Sequence, residues 1–205
     1  MAPSKKMAQR KSGVSQEARI SALVRRAFDK RVEKKVSSST AVGTSIVTTG
    51  TVHAISVNIV EGDDVFNRSG TVIRLARVRA LFRGTAVTTS SSVRFILFRD
   101  MLNQGTTPSA SELLPASTWI SQYSDTRMMQ QQRFHILKDV TMDLNIAGHN
   151  VVTKQYDLTL DGKVFYNGIT NAAASNGKGA LFLLVIGNAI SSAYDYTIQM
   201  VFTDA

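Results

Sequence analysis

The chain has 205 residues, a hydrophobic fraction of 43%, no cysteine and a formal net charge of +9 at neutral pH. That length suits one domain with an extension, and the apolar content is enough for a buried core. The lack of cysteine excludes a disulfide scaffold, thiolate metal sites and cysteine nucleophiles.

The charge is concentrated at one end. Residues 1–35 hold 11 of the 24 Lys and Arg against three acids, Glu17, Asp29 and Glu33, a net of +8. The other 170 residues carry 13 basic and 12 acidic side chains and are close to neutral. Blocks of like charge resist burial and commonly serve as nucleic-acid-binding tails. No apolar stretch follows Lys5-Lys6, so the N-terminus lacks the form of a secretory signal. The longest strongly apolar run, Ala180 to Ile186, is too short to span a bilayer. A soluble, non-secreted protein with no membrane partner is expected, and the glycosylation form Asn67-Arg68-Ser69 is read as chance.

Residues 1–14 are rich in Lys, Arg, Ser and Gln and nearly free of large apolar side chains, which predicts a disordered basic arm. From Ser15, a reasonable N-cap, the pattern becomes helical. Ile20, Leu23, Val24, Ala27 and Phe28 follow the i, i+3, i+4 spacing, with Arg19, Arg25, Arg26 and Lys30 mostly on the other side. This predicts a basic amphipathic helix over 15–36. The run Ser-Ser-Ser-Thr-Ala-Val-Gly then has linker composition over 37–43, and the body is expected over 44–205.

Within the body the period is two. Val140, Met142, Leu144 and Ile146 alternate with polar residues, as do Tyr156, Leu158 and Leu160, and then Tyr194, Tyr196, Ile198, Met200 and Phe202. Between Val72 and Arg83 the apolar face switches after Leu75, which predicts a bulge near Ala76. Val93–Phe98 and Gly179–Ile186 are apolar on both faces and read as central strands. Turn signals separate these runs, among them Gly62-Asp63-Asp64, Ser69-Gly70, Gly148-His149-Asn150, Asp161-Gly162, Asn167-Gly168 and Asn176-Gly177, and residues 109–123 suit one short helix. Seven to nine strands with no α/β alternation predict an all-β fold, an antiparallel sandwich or barrel of jelly-roll or Greek-key kind.

Catalytic chemistry is hard to find. His53, His135 and His149 lie far apart, without triad or metal-ligand neighbours. Asn176-Gly177-Lys178-Gly179 lacks phosphate-loop spacing and precedes a strand. The arm suits phosphate neutralisation with counterion release. Having no Trp or Tyr, it suits binding with little sequence preference. The acidic set Glu61, Asp63 and Asp64 reads as turn chemistry, or as part of a hard-cation site shared between subunits. A cellular single-stranded RNA-binding module with a β-sandwich body, or a jelly-roll lectin, fits the composition as well.

Several collinear stretches over residues 61–205 narrow this. They include Gly62-Asp63-Asp64 with Asn67-Arg68-Ser69-Gly70, Arg83-Gly84-Thr85-Ala86, Phe98-Arg99-Asp100, Gly105-Thr106-Thr107-Pro108, Ile136-Leu137-Lys138-Asp139-Val140-Thr141, Ala173-Ala174-Ser175-Asn176-Gly177 and the terminal Thr203-Asp204-Ala205. Together they resemble the coat proteins of the satellite tobacco necrosis virus type. The resemblance implies a single eight-stranded antiparallel jelly roll, self-assembled into a T=1 icosahedral capsid of sixty copies around single-stranded viral RNA. The protein would reside in the virion, assembled in the host cell cytoplasm. RNA contacts would come from Lys5, Lys6, Arg10, Lys11, Arg19, Arg25, Arg26, Lys30 and Arg31, with Arg74 on the inner wall. The resemblance also implies structural Ca2+ between subunits. Its ligands would be the carboxylates of Asp63, Asp204 and Glu33, the carbonyls of Ser69 and Val72 beside Asp204, and the carbonyl of Ala147 in a ring at the fivefold axis.

Overall fold

The computed structural model describes residues 33–123, 133–190 and 192–205, together with 16 and 19–21. The chain divides into two units, Met1–Glu33 and Lys34–Ala205. In the first, Gln16 and Arg19–Ser21 are helical and exposed; the remainder of the arm and of the predicted helix up to residue 32 lies outside the described residues.

The second unit is a jelly roll of eight antiparallel strands in two sheets. The strands are β1 (Lys35–Ser45), β2 (Thr51–Ala54), β3 (Val72–Ala86), β4 (Ser91–Asp100), β5 (Phe134–Leu144), β6 (Val151–Phe165), β7 (Ala180–Gly187) and β8 (Ser192–Asp204). One sheet has the order β1-β8-β3-β6 and the other β2-β7-β4-β5. Between them lies the main core, with Ile73, Leu75, Val78, Ala80 and Phe82 of β3 facing Val93, Phe95 and Leu97 of β4. Phe82 and Phe95 stack across the sheets at 4.9 Å between ring centroids. Residues on both sides of the face switch in β3 therefore enter the same core. The cause is a register shift between Leu75 and Arg77, opposite both β6 and β8, which is the bulge expected from the sequence.

β4 and β7 are buried on both faces, as their apolar runs require. A second core forms on the outside of their sheet from Ile96, Phe98, Phe182, Leu184 and Ile186, covered by Leu113, Leu114 and Phe134. The covering segment contains a single helical turn, α1 (Ala110–Leu113), started by the Ser109–Glu112 capping box. Arg133 ties this layer down. Its Nη2 lies 2.9 Å from Oδ2 of the fully buried Asp100, and its Nη1 lies 2.6 Å from Glu112 Oε1.

Four expectations need correction. The helix does not reach residue 36, and 37–43 is not a linker, because β1 begins at Lys35 and the shell begins with it. Ser37 and Ser39 are buried opposite Met200 and Ile198, so small hydroxyl side chains fill a strand position that composition alone reads as a loop. Asp161-Gly162 is not a turn but the continuation of β6. Glycine is required there because the Arg99 guanidinium lies against its α-carbon, leaving no room for a Cβ. Ile146 is in a turn and is 46% exposed instead of closing the β5 alternation.

Candidate nucleic-acid face and subunit contacts

Among the described residues no layer covers the outer face of the β1-β8-β3-β6 sheet, whereas the outside of the other sheet is covered. Because the bulge at Ala76 resets the alternation, β3 presents Arg74, Arg77, Arg79 and Arg83 on this open face. Each is matched to a carboxylate on a neighbouring strand. Arg74 Nε donates to Asp161 Oδ1 at 2.9 Å, and Arg77 grips Asp157 with two parallel bonds. Arg79 lies 3.5 Å from Asp157, and Arg83 lies 3.4 Å from Asp195. The Arg77–Asp157 hydrogen bond raises the arginine's pKa and lowers the aspartate's. With Lys163 the face counts five basic against three acidic groups. Arg77, Arg79 and Arg83 are oriented by carboxylates and still about half-exposed, a geometry suited to phosphate oxygens. The sequence reading found Arg74 alone; the alternation in Arg77, Arg79 and Arg83 carried the same signal.

Of the remaining predicted RNA contacts, Arg19 is exposed, while Lys5, Lys6, Arg10, Lys11, Arg25, Arg26, Lys30 and Arg31 lie outside the described residues. The arm joins the shell at the start of β1, an edge strand of this arginine-bearing sheet.

The expected cation ligands fall into separate places. Asp204, Ser69 and Val72 come together where the end of β8 pairs with the start of β3. The Ser69 N–H donates to Asp204 Oδ1 at 3.0 Å, and the Ala205 N–H donates to the Val72 carbonyl at 3.3 Å. A residue not expected there completes the cluster. Lys35 Nζ lies 2.9 Å from Asp204 Oδ2 and donates to Ser69 Oγ, also at 2.9 Å. Burial works against ionising Asp204, but the hydrogen bonds from Lys35 and Ser69 outweigh it and hold its carboxyl below the usual range. Glu33 ends the N-terminal unit and is exposed.

Asp63 is exposed in the loop before β3 and, among the described residues, makes no hydrogen bond or ion pair. Ala147 sits in the exposed β5–β6 turn, its N–H held by Asn145 Oδ1 at 3.0 Å. Glu61 is not a free carboxylate, because it accepts from Arg68 Nη1 at 3.0 Å. Arg68 itself is fully buried and lies 4.2 Å above the Tyr166 ring, with its Nη1 and Nη2 bonded to the carbonyls of Gly70 and Gly168. Nothing in the local sequence signals that burial. Among the described residues no three or more His, Asp or Glu gather as a metal site within one subunit.

The histidines and the glycine-rich segment fit structural roles. His53 bonds Tyr194 Oη at 2.6 Å, and burial lowers its pKa. Asn176–Gly179 is a turn leading into β7, with Asn176 Oδ1 accepting from Ser56 Oγ at 3.1 Å.

The sequence profile described as satellite tobacco necrosis virus coat protein matches residues 5–205. The chain belongs to the satellite tobacco necrosis virus coat protein family. Among curated relatives it is 41% identical over 183 residues to the capsid protein of Satellite tobacco necrosis virus 1, covering 89% of this chain and 92% of that one. It is 38% identical to the coat protein of Satellite tobacco necrosis virus 2, over 97% of this chain and 100% of that one. The coat protein of Maize white line mosaic Satellite virus is 31% identical, over 91% and 88%. As a satellite virus coat protein the chain is structural, not enzymatic; it self-assembles and resides in the virion. Membership sets aside the cellular RNA-binding module and the lectin.

Both ends of the coat's sandwich carry exposed apolar side chains. Hydrogen bonds tie four loops together at one end: Ile146 N–H to Ser90 Oγ at 3.3 Å, Ser92 N–H to Asn188 Oδ1 at 2.8 Å, and Gly187 N–H to the Val47 carbonyl at 3.5 Å. Val47, Val87, Ile146 and Ile190 are exposed on those loops. At the other end Val65, Phe66 and Ile169 are exposed in loops joined through the Glu61 N–H to Ile169 carbonyl bond. A run of exposed apolar groups at each end suits burial against further copies.

Proposed function

We propose that sixty copies close into a T=1 icosahedral shell around single-stranded viral RNA, with the arginine-bearing sheet face and the basic arm directed inward. The observation that carries this reading is the asymmetry of the sandwich. One sheet is covered by an apolar layer, and the other offers Arg74, Arg77, Arg79, Arg83 and Lys163 and continues into the basic arm. A shell that condenses a polyanion needs its positive surfaces on one side. The arm supplies charge through Lys5, Lys6, Arg10, Lys11, Arg19, Arg25, Arg26, Lys30 and Arg31, and the sheet supplies a wall. Sixty arms, each with nine basic against three acidic side chains in residues 1–33, bring about +360, roughly a third of the phosphates of an RNA near one kilobase at about one charge per nucleotide.

The apolar ends meet their copies around the symmetry axes. Asp63 and the Ala147 carbonyl are hard oxygen donors in exposed loops, and they would hold Ca2+ shared between copies. Bound there, the ion would offset the repulsion of neighbouring carboxylates. Assembly takes place in the host cell cytoplasm.

Nuclease treatment of particles from recombinant expression tests the packaging. Full-length particles should protect RNA, while particles of the chain lacking residues 1–33 should protect little. Equal protection would remove the arm from the mechanism.

A further inference from the structure

Lys35 is an unusual residue to find 5% exposed at the start of an edge strand. Lysine is rarely buried unless paired, and its ammonium has three donors to satisfy. Here it reaches Asp204 Oδ2 and Ser69 Oγ, each at 2.9 Å. The other carboxylate oxygen, Oδ1, is taken by the Ser69 N–H at 3.0 Å. The Val72 carbonyl is occupied by the Ala205 N–H at 3.3 Å. The cluster thus has the donor chemistry of a hard-cation site: one carboxylate, a hydroxyl and the Val72 carbonyl at the start of β3. Its charge is already balanced from within the subunit.

We propose that Lys35 is the resident cation of the Asp204–Ser69–Val72 cluster, and that a divalent ion reaches Asp204 only by displacing it. Of the oxygens assigned to Ca2+ by family resemblance, the Asp204 carboxylate is held here by Lys35 and the Ser69 N–H, and the Val72 carbonyl by the Ala205 N–H. An ammonium and a divalent ion cannot share Asp204 at contact distance, because like charges a few ångströms apart repel strongly. Lys35 therefore sets the cation preference of this place, making it weak for Ca2+. Among the described residues, Asp63 and Ala147 have no such internal counter-ion.

The location gives the exchange a consequence. Lys35 is the first residue of β1, paired with Phe202, and the chain before it is the basic arm. Displacing Lys35 loosens the end of that strand and adds one positive charge at the root of the arm. Calcium uptake at Asp204 and the anchoring of the arm are then opposed within one cluster.

This inference rests on the reading that the shell takes up calcium, and its test separates the two. Calcium binding is measured by equilibrium dialysis on full-length particles of the wild type, Lys35→Met and Lys35→Arg. Methionine keeps the buried methylene packing without the charge, and Lys35→Gln serves the same purpose if Lys35→Met fails to assemble. The uncharged variant should show a calcium class bound about tenfold more tightly than in the wild type, the factor equivalent to roughly 1.4 kcal/mol. Adding Asp204→Asn should abolish that gain, and Lys35→Arg should behave as the wild type. Equal calcium binding in all variants, or a gain that survives Asp204→Asn, overturns the role of Lys35 alone. No calcium uptake by any variant overturns the calcium reading and this inference with it.

Discussion

Removing residues 1–33 tests how much of the RNA affinity belongs to the arm. The cut falls between the two units and leaves Lys35 with its ion pair and strand pairing, so the jelly roll keeps both cores. The deletion takes away nine Lys and Arg and three acids, a net of +6. Each phosphate neutralised on a single strand contributes about −0.7 to the slope of log affinity against log salt. The nine arm contacts add about −6 to the slope of the full chain. On their account a rise from about 50 to 200 mM salt should weaken its binding roughly 10³- to 10⁴-fold. The truncated shell keeps the arginine face, where five basic groups set a limit of about −3, and carboxylate pairing lowers the effective number further. Fluorescence anisotropy with a labelled single-stranded oligonucleotide at several salt concentrations gives both slopes. Equal slopes for the two proteins would refute the arm as the main source of affinity.

Four further outcomes are expected. Asp63→Asn should make particles less sensitive to chelator at neutral or higher pH, where wild-type particles swell as freed carboxylates repel; an equal change in sedimentation would remove Asp63 from cation binding. Ile190→Asp should leave the circular dichroism of the subunit unchanged, because Ile190 is 74% exposed, yet yield unassembled subunits in velocity sedimentation. Gly162→Ala should cost about 1–3 kcal/mol in urea unfolding of the subunit. A Cβ there would push the Arg99 guanidinium away from the Gly179 and Lys163 carbonyls to which it donates. Acid should destabilise the fold. Burial disfavours the ionised forms of Glu112, Asp139 and Asp204, but hydrogen bonds from Ser109 and Arg133, from Arg94 and Tyr123, and from Lys35 and Ser69 outweigh it and lower all three pKa values. Their contribution is complete above the unfolded carboxyl pKa of about 4 and is lost as pH falls through the lower folded values. Urea midpoints should therefore drop between about pH 5 and pH 3, and a flat profile would contradict these pairings.

The sandwich was legible because its strands bury one face or two. Alternation marked β5, β6 and β8, unbroken apolar runs marked β4 and β7, and the face switch in β3 marked the bulge at Ala76. β1 was missed because its inward positions are Ser37 and Ser39, which composition cannot tell from a loop; their burial follows from pairing with β8. Gly162 misled for a related reason, since the group that demands glycine there is Arg99 on the other sheet. The basic arm was visible as charge alone. Arg68 and Lys35 were not recognised, because the carbonyls, the ring and the carboxylate that bury them come from distant segments, Gly168, Tyr166 and Asp204. Local sequence reports what a residue can do, and only the tertiary pairing decides which exposed-looking charges are spent inside the subunit.

The claim that this jelly roll closes into an RNA-filled shell is tested most directly by electron microscopy of the purified recombinant protein, with absorbance at 260 and 280 nm on the same fraction. Uniform small spheres with a nucleic-acid absorbance ratio are the predicted result. A monomer or small oligomer, with or without RNA, would contradict it.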